Sequence, residues 1–346
     1  MSVLIELAEA ARFPDPLLRL GIRRLVKQRL KDERLDDPEA QSERYQRLVA
    51  ELRGSHIALD TDLANQQHYE VPAGFYAAVL GRHLKYSGCY WEKGAQDLDT
   101  AEDHMLGLYA ERAQLVDGQD VLDLGCGWGS FTLWAAQRFA GSSFTAVSNS
   151  ASQRAFIEAQ AESRGLKNVQ VITADVNDLS LDRQFDRVVS VEMFEHVRNY
   201  ALLLNRISGW LKDEGKLFVH IFCHRNLMYP FETEGDDNWM ARHFFTSGLM
   251  PAADTLLYFQ DDLHIERRWN VSGKNYQQTA RAWLNNLDTR REEAAAALQD
   301  IYGDGEISRC IQRWRMFFMA CEELFGYRAG REWLVCHYLF SKRQTN

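Results

Sequence analysis

Glu192, Glu195 and His196 place three ionisable side chains within five residues of the chain. Carboxylates and imidazoles are the groups that enzymes use most often to accept and donate protons. The segment directly follows residues 185–191, an apolar run with the length of a buried strand. Ligands of α/β proteins bind at the carboxyl ends of such strands. The three residues therefore predict a proton-handling reaction centre, with a structural carboxylate–arginine network as the alternative.

A second candidate feature is the glycine-rich turn at residues 125–129, which follows the short apolar run 120–124. Such a turn between strand and helix lets the backbone approach a nucleotide-like ligand. Asp123, just before the turn, is expected to hold an ammonium group of that ligand or to order the loop. A dinucleotide site would prefer G-x-G-x-x-G and an acid after the second strand. This chain has G-x-G-x-G and Ser148-Asn149 there, which disfavours NAD.

The elements that must position these residues alternate between strand and helix over residues 120–222. The predicted strands are residues 120–124, 144–147, 169–173, 185–191 and 216–222, and a last strand is expected at 333–340. Ser130 and Ser150 are predicted to cap helices that end near Gly141 and Gly165, and a further helix is predicted at 200–211. This alternation predicts a parallel sheet with helices on both faces. Residues 1 to about 60 look helical, and residues 225–330 look mostly helical and irregular.

The amino-acid composition limits the classes of function that the protein can have. The chain has 346 residues, 46% hydrophobic and 26% charged, which is typical of a globular protein. Its formal net charge of −9 argues against nucleic acid as a partner, because phosphate contacts need a basic surface. No run approaches the roughly 20 apolar residues of a membrane span, so stable membrane insertion is not expected. The six scattered cysteines and the lack of a signal-peptide pattern favour the cytoplasm.

Longer motifs make the chain similar to one known superfamily. The motifs are L-K-Y-S-G-C-Y-W at 84–91, D-L-G-C-G-W-G at 123–129, S-N-S-x-x-Q at 148–153, S-V-E-M-F-E-H-V-R-N-Y at 190–200, D-D-N-W-M at 236–240, H-F-F-T-S-G-L-M-P at 243–251 and W-L-V-C-H-Y-L-F at 333–340. Together they resemble the cyclopropane-fatty-acid-synthase-like methyltransferases, and most closely the alkaloid branch typified by coclaurine N-methyltransferase. The resemblance implies an α/β fold with a Rossmann-like class I methyltransferase core. It also implies a helical N-terminal extension at 1–115 packing over the active site, and a methyltransferase domain at 116–346 whose substrate side is a helical, aromatic cap at 225–330.

The resemblance also implies a cofactor and roles for individual residues. The methyl donor would be S-adenosylmethionine, and no metal is expected. The residues expected to bind the donor are Tyr86, Ser87, Asp123, Gly125, Gly127, Ser148, Asn149, Gln153, Asp175 and Val176. Asp175 is expected to accept from the adenine amino group, with a plain turn aspartate as the alternative. Glu192 and His196 would orient the substrate amine and take its proton.

A bicarbonate site is also implied, but one residue argues against it. Glu195, His220 and Tyr276 match residues that hold a bicarbonate base in the lipid-modifying members. In those members the motif reads Y-S-C, whereas Gly88 occupies the cysteine position here. Bicarbonate is therefore doubtful in this chain.

The expected substrate is a small, ring-bearing amine, because aromatic faces attract cationic amines. Trp239 and Phe245, with His220 and Tyr276, are expected to contact it, whereas most aromatic residues after 225 are expected to pack in the core. Two alternatives remain: a lipid enzyme that methylates or cyclopropanates an acyl double bond, and a catalytically inactive binding module. The basic and apolar segment 17–30 is expected to pack on the protein itself rather than on a membrane surface. A homodimer is compatible with the sequence.

Overall fold

The computed structural model describes residues 3–59, 71–91, 94–232 and 238–343. Its centre is a seven-stranded sheet with the strand order β3-β2-β1-β4-β5-β9-β8, beside a two-stranded sheet of β6 and β7. The strands are β1 Asp120–Leu124, β2 Ser143–Ser148, β3 Val169–Thr173, β4 Phe185–Val191, β5 Leu211–His224, β6 Tyr229–Pro230, β7 Leu249–Met250, β8 Leu263–Val271 and β9 Trp333–Lys342. The first five strands pair in parallel, so the predicted α/β core is confirmed. Strands β8 and β9 extend this parallel core into a mixed sheet, since β9 runs antiparallel to both β5 and β8.

Helices cover both faces of this sheet. They are α1 Val3–Glu9, α2 Asp15–Glu33, α3 Pro38–Gly54, α4 Ala73–Val79, α5 Leu98–Arg112, α6 Ser130–Arg138, α7 Ala151–Ser163, α8 Tyr200–Trp210, α9 Trp239–Phe244, α10 Gly273–Thr289 and α11 Arg291–Gly326, which Gly303 interrupts. Successive strand residues point to opposite faces. Val121 accordingly packs in the core with α5 and α10, and Leu122 packs in the core with α3 and α8.

The predicted helix starts differ in outcome. The Ser150 side chain accepts from the Gln153 N–H and caps α7, as expected. Ser130 is the first helical residue of α6 rather than its cap, because Gly129 takes the capping position with φ of 76°. That left-handed conformation suits glycine and leaves no capping role for the serine.

Residues 225–330 are not only helical and irregular, since they contain β6, β7 and β8. Strand β8 lies at the sheet edge, and most of its residues between Leu263 and Val271 are partly or fully exposed. An edge strand with so many polar residues lacks the apolar run that reveals a buried strand.

The N-terminal helices pack on the protein itself. Arg19 of α2 donates to Glu322 and Glu323 of α11 at 2.7 and 2.9 Å. The side chain of Glu9 in α1 accepts from Trp239 and Arg313, each at 2.8 Å. Within the described ranges, no helix is long and apolar enough to cross a membrane.

Candidate active site

The candidate site lies at the carboxyl ends of the neighbouring strands β1 and β4. At this point the strand order reverses, because β2 and β3 extend the sheet on one side of β1, and β4 and β5 extend it on the other. The turn after β1 approaches the loop after β4, because a Cβ on Gly125 would lie 2.7 Å from the Met193 side chain. Gly127, with φ of 52°, has no atom within 4 Å of the position of a Cβ. That open space is where a ligand can meet the bare backbone of the turn.

Two adjoining cavities open at this edge. The first has about 750 Å³ of free space including its mouth, and its lining includes Leu59, Gly125, Gly127, Ser148, Asn149, Gln153, Val176, Met193 and His196. The second has about 960 Å³, and its lining includes Tyr86, Ser87, Asp123, Gly125, Gly127, Gln153, Glu192, His196, Phe222, Phe245, Tyr276 and Phe317. Gly125, Gly127, Gln153 and His196 line both cavities, so the two meet at these residues.

Polar side chains in the first cavity hold one another in place. The Ser148 hydroxyl donates to Gln153 Oε1 at 2.6 Å and accepts from the Ser150 N–H at 3.0 Å. In the second cavity, Asp123 is buried and accepts from the Thr132 hydroxyl at 2.6 Å, and burial raises the pKa of its carboxyl to about 6.

Glu192 is the most densely contacted carboxylate of the site. Its backbone has φ of 47°, an uncommon conformation for a residue with a side chain. Oε1 accepts from the Gly88 N–H at 2.9 Å and lies 3.0 Å from His220 Nε2, and Oε2 accepts from the Tyr276 hydroxyl at 2.7 Å. Burial raises the pKa of Glu192, whereas the nearby Lys85 ammonium and these donors favour the charged form. A base whose pKa is lifted toward neutrality is suited to proton transfer.

Glu195 has a different environment. It is fully buried, and its Oε1 accepts from the Phe222 N–H at 2.7 Å. Its Oε2 has no hydrogen-bond partner among the described residues. Burial and the neighbouring charge of Glu192 hold the pKa of Glu195 well above its usual range. Burial therefore favours the neutral form of Glu195, whereas the donors around Glu192 favour its ionised form.

His196 lies at the junction of the two cavities, with its ring stacked on Phe245 at 6.0 Å between centroids. Burial lowers its pKa to about 4, against the opposing effect of Glu192. The imidazole is therefore neutral at pH 7 and can accept a proton or a hydrogen bond. The arrangement combines an ionised carboxylate, a neutral imidazole and aromatic walls around one cavity.

Comparison with known proteins places this geometry in a family. A model of the mycolic acid cyclopropane synthetase family matches residues 59–332. The chain belongs to this family. It is 39% identical to the (S)-coclaurine N-methyltransferase of Thalictrum flavum subsp. glaucum, over 99% of this chain and 97% of the relative. It is 29% identical to the cyclopropane-fatty-acyl-phospholipid synthase of Escherichia coli K12, over 82% and 69%.

Solved structures agree with the sequence comparison. The crystal structure of coclaurine N-methyltransferase bound to N-methylheliamine and SAH superposes with a TM-score of 0.94 at 38% identity, covering 98% of this chain and 99% of that one. A cyclopropane synthase of Mycobacterium tuberculosis superposes with a TM-score of 0.69 at 20% identity, over 82% and 99%, and shares the fold. The protein is thus an S-adenosylmethionine-dependent methyltransferase with the Rossmann-like core that its motifs predict.

In this methyltransferase, most residues predicted for the site come together. Of the predicted cofactor residues, nine line the two cavities. Asp175 is not among the described lining residues, because its carboxylate accepts from the Asn177 N–H at 2.7 Å in a turn. Trp239 lies in the cap with its indole N–H on Glu9, and His220 lies behind Glu192. Asp236 and Asp237 of the motif at 236–240 lie outside the described residues.

Lys85 is a residue of the site that the sequence reasoning missed. Its side chain is buried and donates to the Ser87 hydroxyl at 2.5 Å and to the Gly88 carbonyl at 2.7 Å. These bonds hold the loop whose Gly88 N–H donates to Glu192. The signal was present, because Lys85 stands inside the motif L-K-Y-S-G-C-Y-W, but a lone lysine beside a tyrosine usually reads as a surface residue.

The residues that would hold bicarbonate do not fit that anion here. Tyr276 and His220, the donors that it would need, are both hydrogen-bonded to Glu192. The Tyr276 ring also lies 3.1 Å from the position of a Cβ on Gly88, where the lipid-modifying members have a side chain. A further anion between Glu192 and Glu195 would be repelled by a buried negative charge.

Proposed function

We propose that this protein transfers a methyl group from S-adenosylmethionine to the nitrogen of a compact, ring-bearing amine. The observation that carries the proposal is that Glu192 lines the second cavity beside His196, which lies where the two cavities meet. The near full-length similarity to coclaurine N-methyltransferase supports the same acceptor class.

The residues present suit the methyl donor. Ser148, Asn149, Gln153 and Val176 border the first cavity and would hold its nucleoside part. Tyr86, Ser87, Asp123 and the backbone of Gly125 and Gly127 border the second cavity and would hold its amino-acid part. Once bound, S-adenosylmethionine supplies an electrophilic methyl group on its sulfonium.

Glu192 and His196 would prepare the amine to react. An aliphatic amine with a pKa of about 10.4 is neutral in roughly one molecule per 10³ at pH 7, a handicap of about 4–5 kcal/mol. Only the neutral form has the lone pair that attacks the methyl group. The Glu192 carboxylate in the second cavity is placed to hold the ammonium form and to accept its proton, and the neutral His196 imidazole is a second acceptor beside it. Holding amine and methyl group in line contributes further to the rate.

The aromatic walls explain the preference for a ring. Phe222, Phe245, Phe317 and Tyr276 surround the second cavity beside Glu192. Such faces exclude water and attract a cationic amine by about 0.5–2 kcal/mol each. A compact aromatic amine, such as a tetrahydroisoquinoline or an arylalkylamine, would use both the carboxylate and the walls.

The organisation of the chain is part of the proposal. Tyr76, Tyr86, Ser87 and Tyr109 from residues 1–115 border the second cavity, which supports an extension that closes over the domain at 116–346. Phe245 and Phe317 support 225–330 as the substrate side. Trp239 would act there by ordering the cap. We further propose a cytoplasmic enzyme, because its six cysteines are buried free thiols, and a homodimer, which light scattering tests.

The experiment offers the purified protein a panel of ring-bearing amines with S-adenosylmethionine and detects methylated products by mass spectrometry. Parallel reactions contain vesicles of unsaturated phospholipid, with and without bicarbonate. We expect N-methylation of at least one amine without vesicles, unmodified acyl chains, and loss of turnover in Glu192→Gln. Cyclopropane or methyl-branched acyl chains with no amine turned over would establish the lipid activity instead. Binding of S-adenosylmethionine with no product from either class would indicate a binding module.

A further inference from the structure

A chain of hydrogen bonds runs from the reaction centre along one face of the sheet, through β5 and β9 to the end of α5. His220 on β5 and His337 on β9 are directly opposite in the antiparallel ladder, so their side chains share one face. His220 Nε2 lies 3.0 Å from Glu192 Oε1, and His220 Nδ1 lies 2.9 Å from His337 Nε2. His337 Nδ1 in turn lies 2.7 Å from an Arg112 guanidinium nitrogen, and Arg112 is the last residue of α5.

The two ends of this chain determine the direction of every bond in it. A guanidinium has only donors, so Arg112 donates and His337 Nδ1 must accept. A neutral His337 then carries its proton on Nε2 and donates to His220 Nδ1. His220 carries its proton on Nε2 in turn and donates to Glu192, which accepts because it is ionised. The opposite direction would need a protonated Glu192 and two donors facing each other at Arg112.

Burial supports neutral rings at both positions. His220 and His337 are fully buried, and burial lowers the pKa of each imidazole well below its usual range. The Tyr109 hydroxyl, one turn before Arg112 on α5, also lies 2.9 Å from His220 Nδ1, so it shares the single lone pair of that nitrogen with the His337 N–H and likewise requires Nδ1 to be unprotonated. Neutral rings can pass polarisation along the chain without adding a charge beside Lys85.

We infer that Arg112 and His337 are positioning residues for methyl transfer, which act through His220 to aim an N–H at Glu192 and to keep that carboxylate ionised. This inference rests on the proposed function, in which Glu192 accepts the proton of the amine. Hydrogen-bonded histidines in line with a distant cation polarise one another, so the last donor is stronger than an isolated imidazole N–H. Glu192 sits among other titratable groups that each act on it as well: Lys85, Cys89, Tyr109, Glu195, His196, His220, Tyr276 and Cys321.

The test uses the full-length protein and the variants His337→Phe, Arg112→Met and Arg112→Lys. The turnover number is measured against pH with an amine from the panel, since its acid limb reports groups in the enzyme–substrate complex. We expect His337→Phe and Arg112→Met to move that limb to higher pH by about one unit. The turnover number should then fall about tenfold at pH values below the limb and change little at pH values above it. Arg112→Lys should retain part of the effect, because it keeps a cationic donor.

Two further measurements separate positioning from stability. His264→Phe on the neighbouring strand β8 is the matched control, because His264 contacts Ser341 at the sheet edge, and it should leave the limb in place. Affinity for S-adenosylhomocysteine, measured by calorimetry, should stay within about twofold in all variants. A uniform loss of turnover at every pH, with the limb unmoved, would overturn the inference.

A further measurement needs no amine substrate, so it tests the inference even if no amine is turned over. Nitrogen NMR of protein labelled in its histidines distinguishes the two neutral tautomers directly. We expect the proton on Nε2 in both His220 and His337 at neutral pH, with His220 losing that preference in His337→Phe. A proton on Nδ1 of either ring in the wild-type protein would refute the inferred direction of these hydrogen bonds, whatever the substrate is.

Discussion

Gly88 is the position where one added methyl group should disturb the catalytic carboxylate. A Cβ at Gly88 would lie 3.1 Å from Tyr276 Cδ1 and 3.4 Å from two further atoms of that ring. The ring cannot retreat easily, because its stacking partner Phe325 lies 4.1 Å away between centroids at an interplanar angle of 9°. In Gly88→Ala the ring must therefore shift along its plane, and the Tyr276 hydroxyl leaves its 2.7 Å contact with Glu192.

The size of the effect follows from these contacts. Overpacking by one methyl group costs about 1–3 kcal/mol. A hydrogen bond to a charged group is worth about 1.5–3 kcal/mol, and its loss would raise the pKa of Glu192 by about one to two units, at about 1.36 kcal/mol per unit. We expect turnover of the preferred amine at pH 7 to fall by about 10- to 100-fold, with partial recovery at higher pH.

The assay compares turnover, its pH profile and calorimetric affinity for S-adenosylhomocysteine in Gly88→Ala, Tyr276→Phe and the double variant. Since both changes remove the same contact, their effects on turnover should not add. The matched control is Gly107→Ala, where an added Cβ meets no atom within 4 Å and the helix gains up to about 1 kcal/mol. Turnover of Gly88→Ala within twofold of the wild type, or additive losses in the double variant, would refute this reasoning.

Three other perturbations have definite expected outcomes. In Gly127→Val the side chain enters the open space of the turn at φ of 52°, so calorimetry should show loss of S-adenosylmethionine binding in a folded protein. Glu192→Gln and His196→Ala should lower turnover at least about 100-fold while changing cofactor affinity by less than about threefold, which single-turnover assays and calorimetry can separate. His224 is buried, accepts from the Asn226 and Leu227 N–H groups, and has its pKa lowered to about 4 by burial. Because the unfolded chain binds this proton more readily, stability is lost as pH falls from about 6.5 toward 4, by roughly 2 kcal/mol between pH 7 and 5. In His224→Asn, the free energy of unfolding measured with denaturant should fall less between pH 7 and 5 than it does in the wild type.

The central strands could be read from the sequence because burial imposes an apolar pattern on them. The predictions for residues 120–124 and 185–191 agree with β1 and β4 residue for residue. Both strands lie in a parallel sheet with helices on its faces, where local composition and tertiary environment favour the same state. Strand β8 escaped prediction for the opposite reason, since its outward residues are polar and only β9 makes it a strand.

The residues of the site also differ in how far the sequence alone could predict their proximity. Glu192, Glu195 and His196 are adjacent in the chain, so their proximity needed no fold to be seen. The hydrogen bonds from Gly88 and Tyr276 to Glu192 join residues 104 and 84 positions apart, and no local pattern in the sequence indicates them. The family resemblance identified Tyr276 as a site residue. Only the geometry shows that its hydroxyl donates a hydrogen bond to Glu192.

The two carboxylates show why this geometry matters for the reaction. Glu192 and Glu195 are three residues apart on one short turn, and composition alone gives them equal chemistry. Glu192 receives donors from a loop, a helix and a neighbouring strand, whereas Glu195 receives one backbone N–H. Burial raises the pKa of both, but only Glu192 has enough donors to stay charged. The fold thus makes one carboxylate a base and keeps the other neutral, which removes the repulsion that two charges in one cavity would cause.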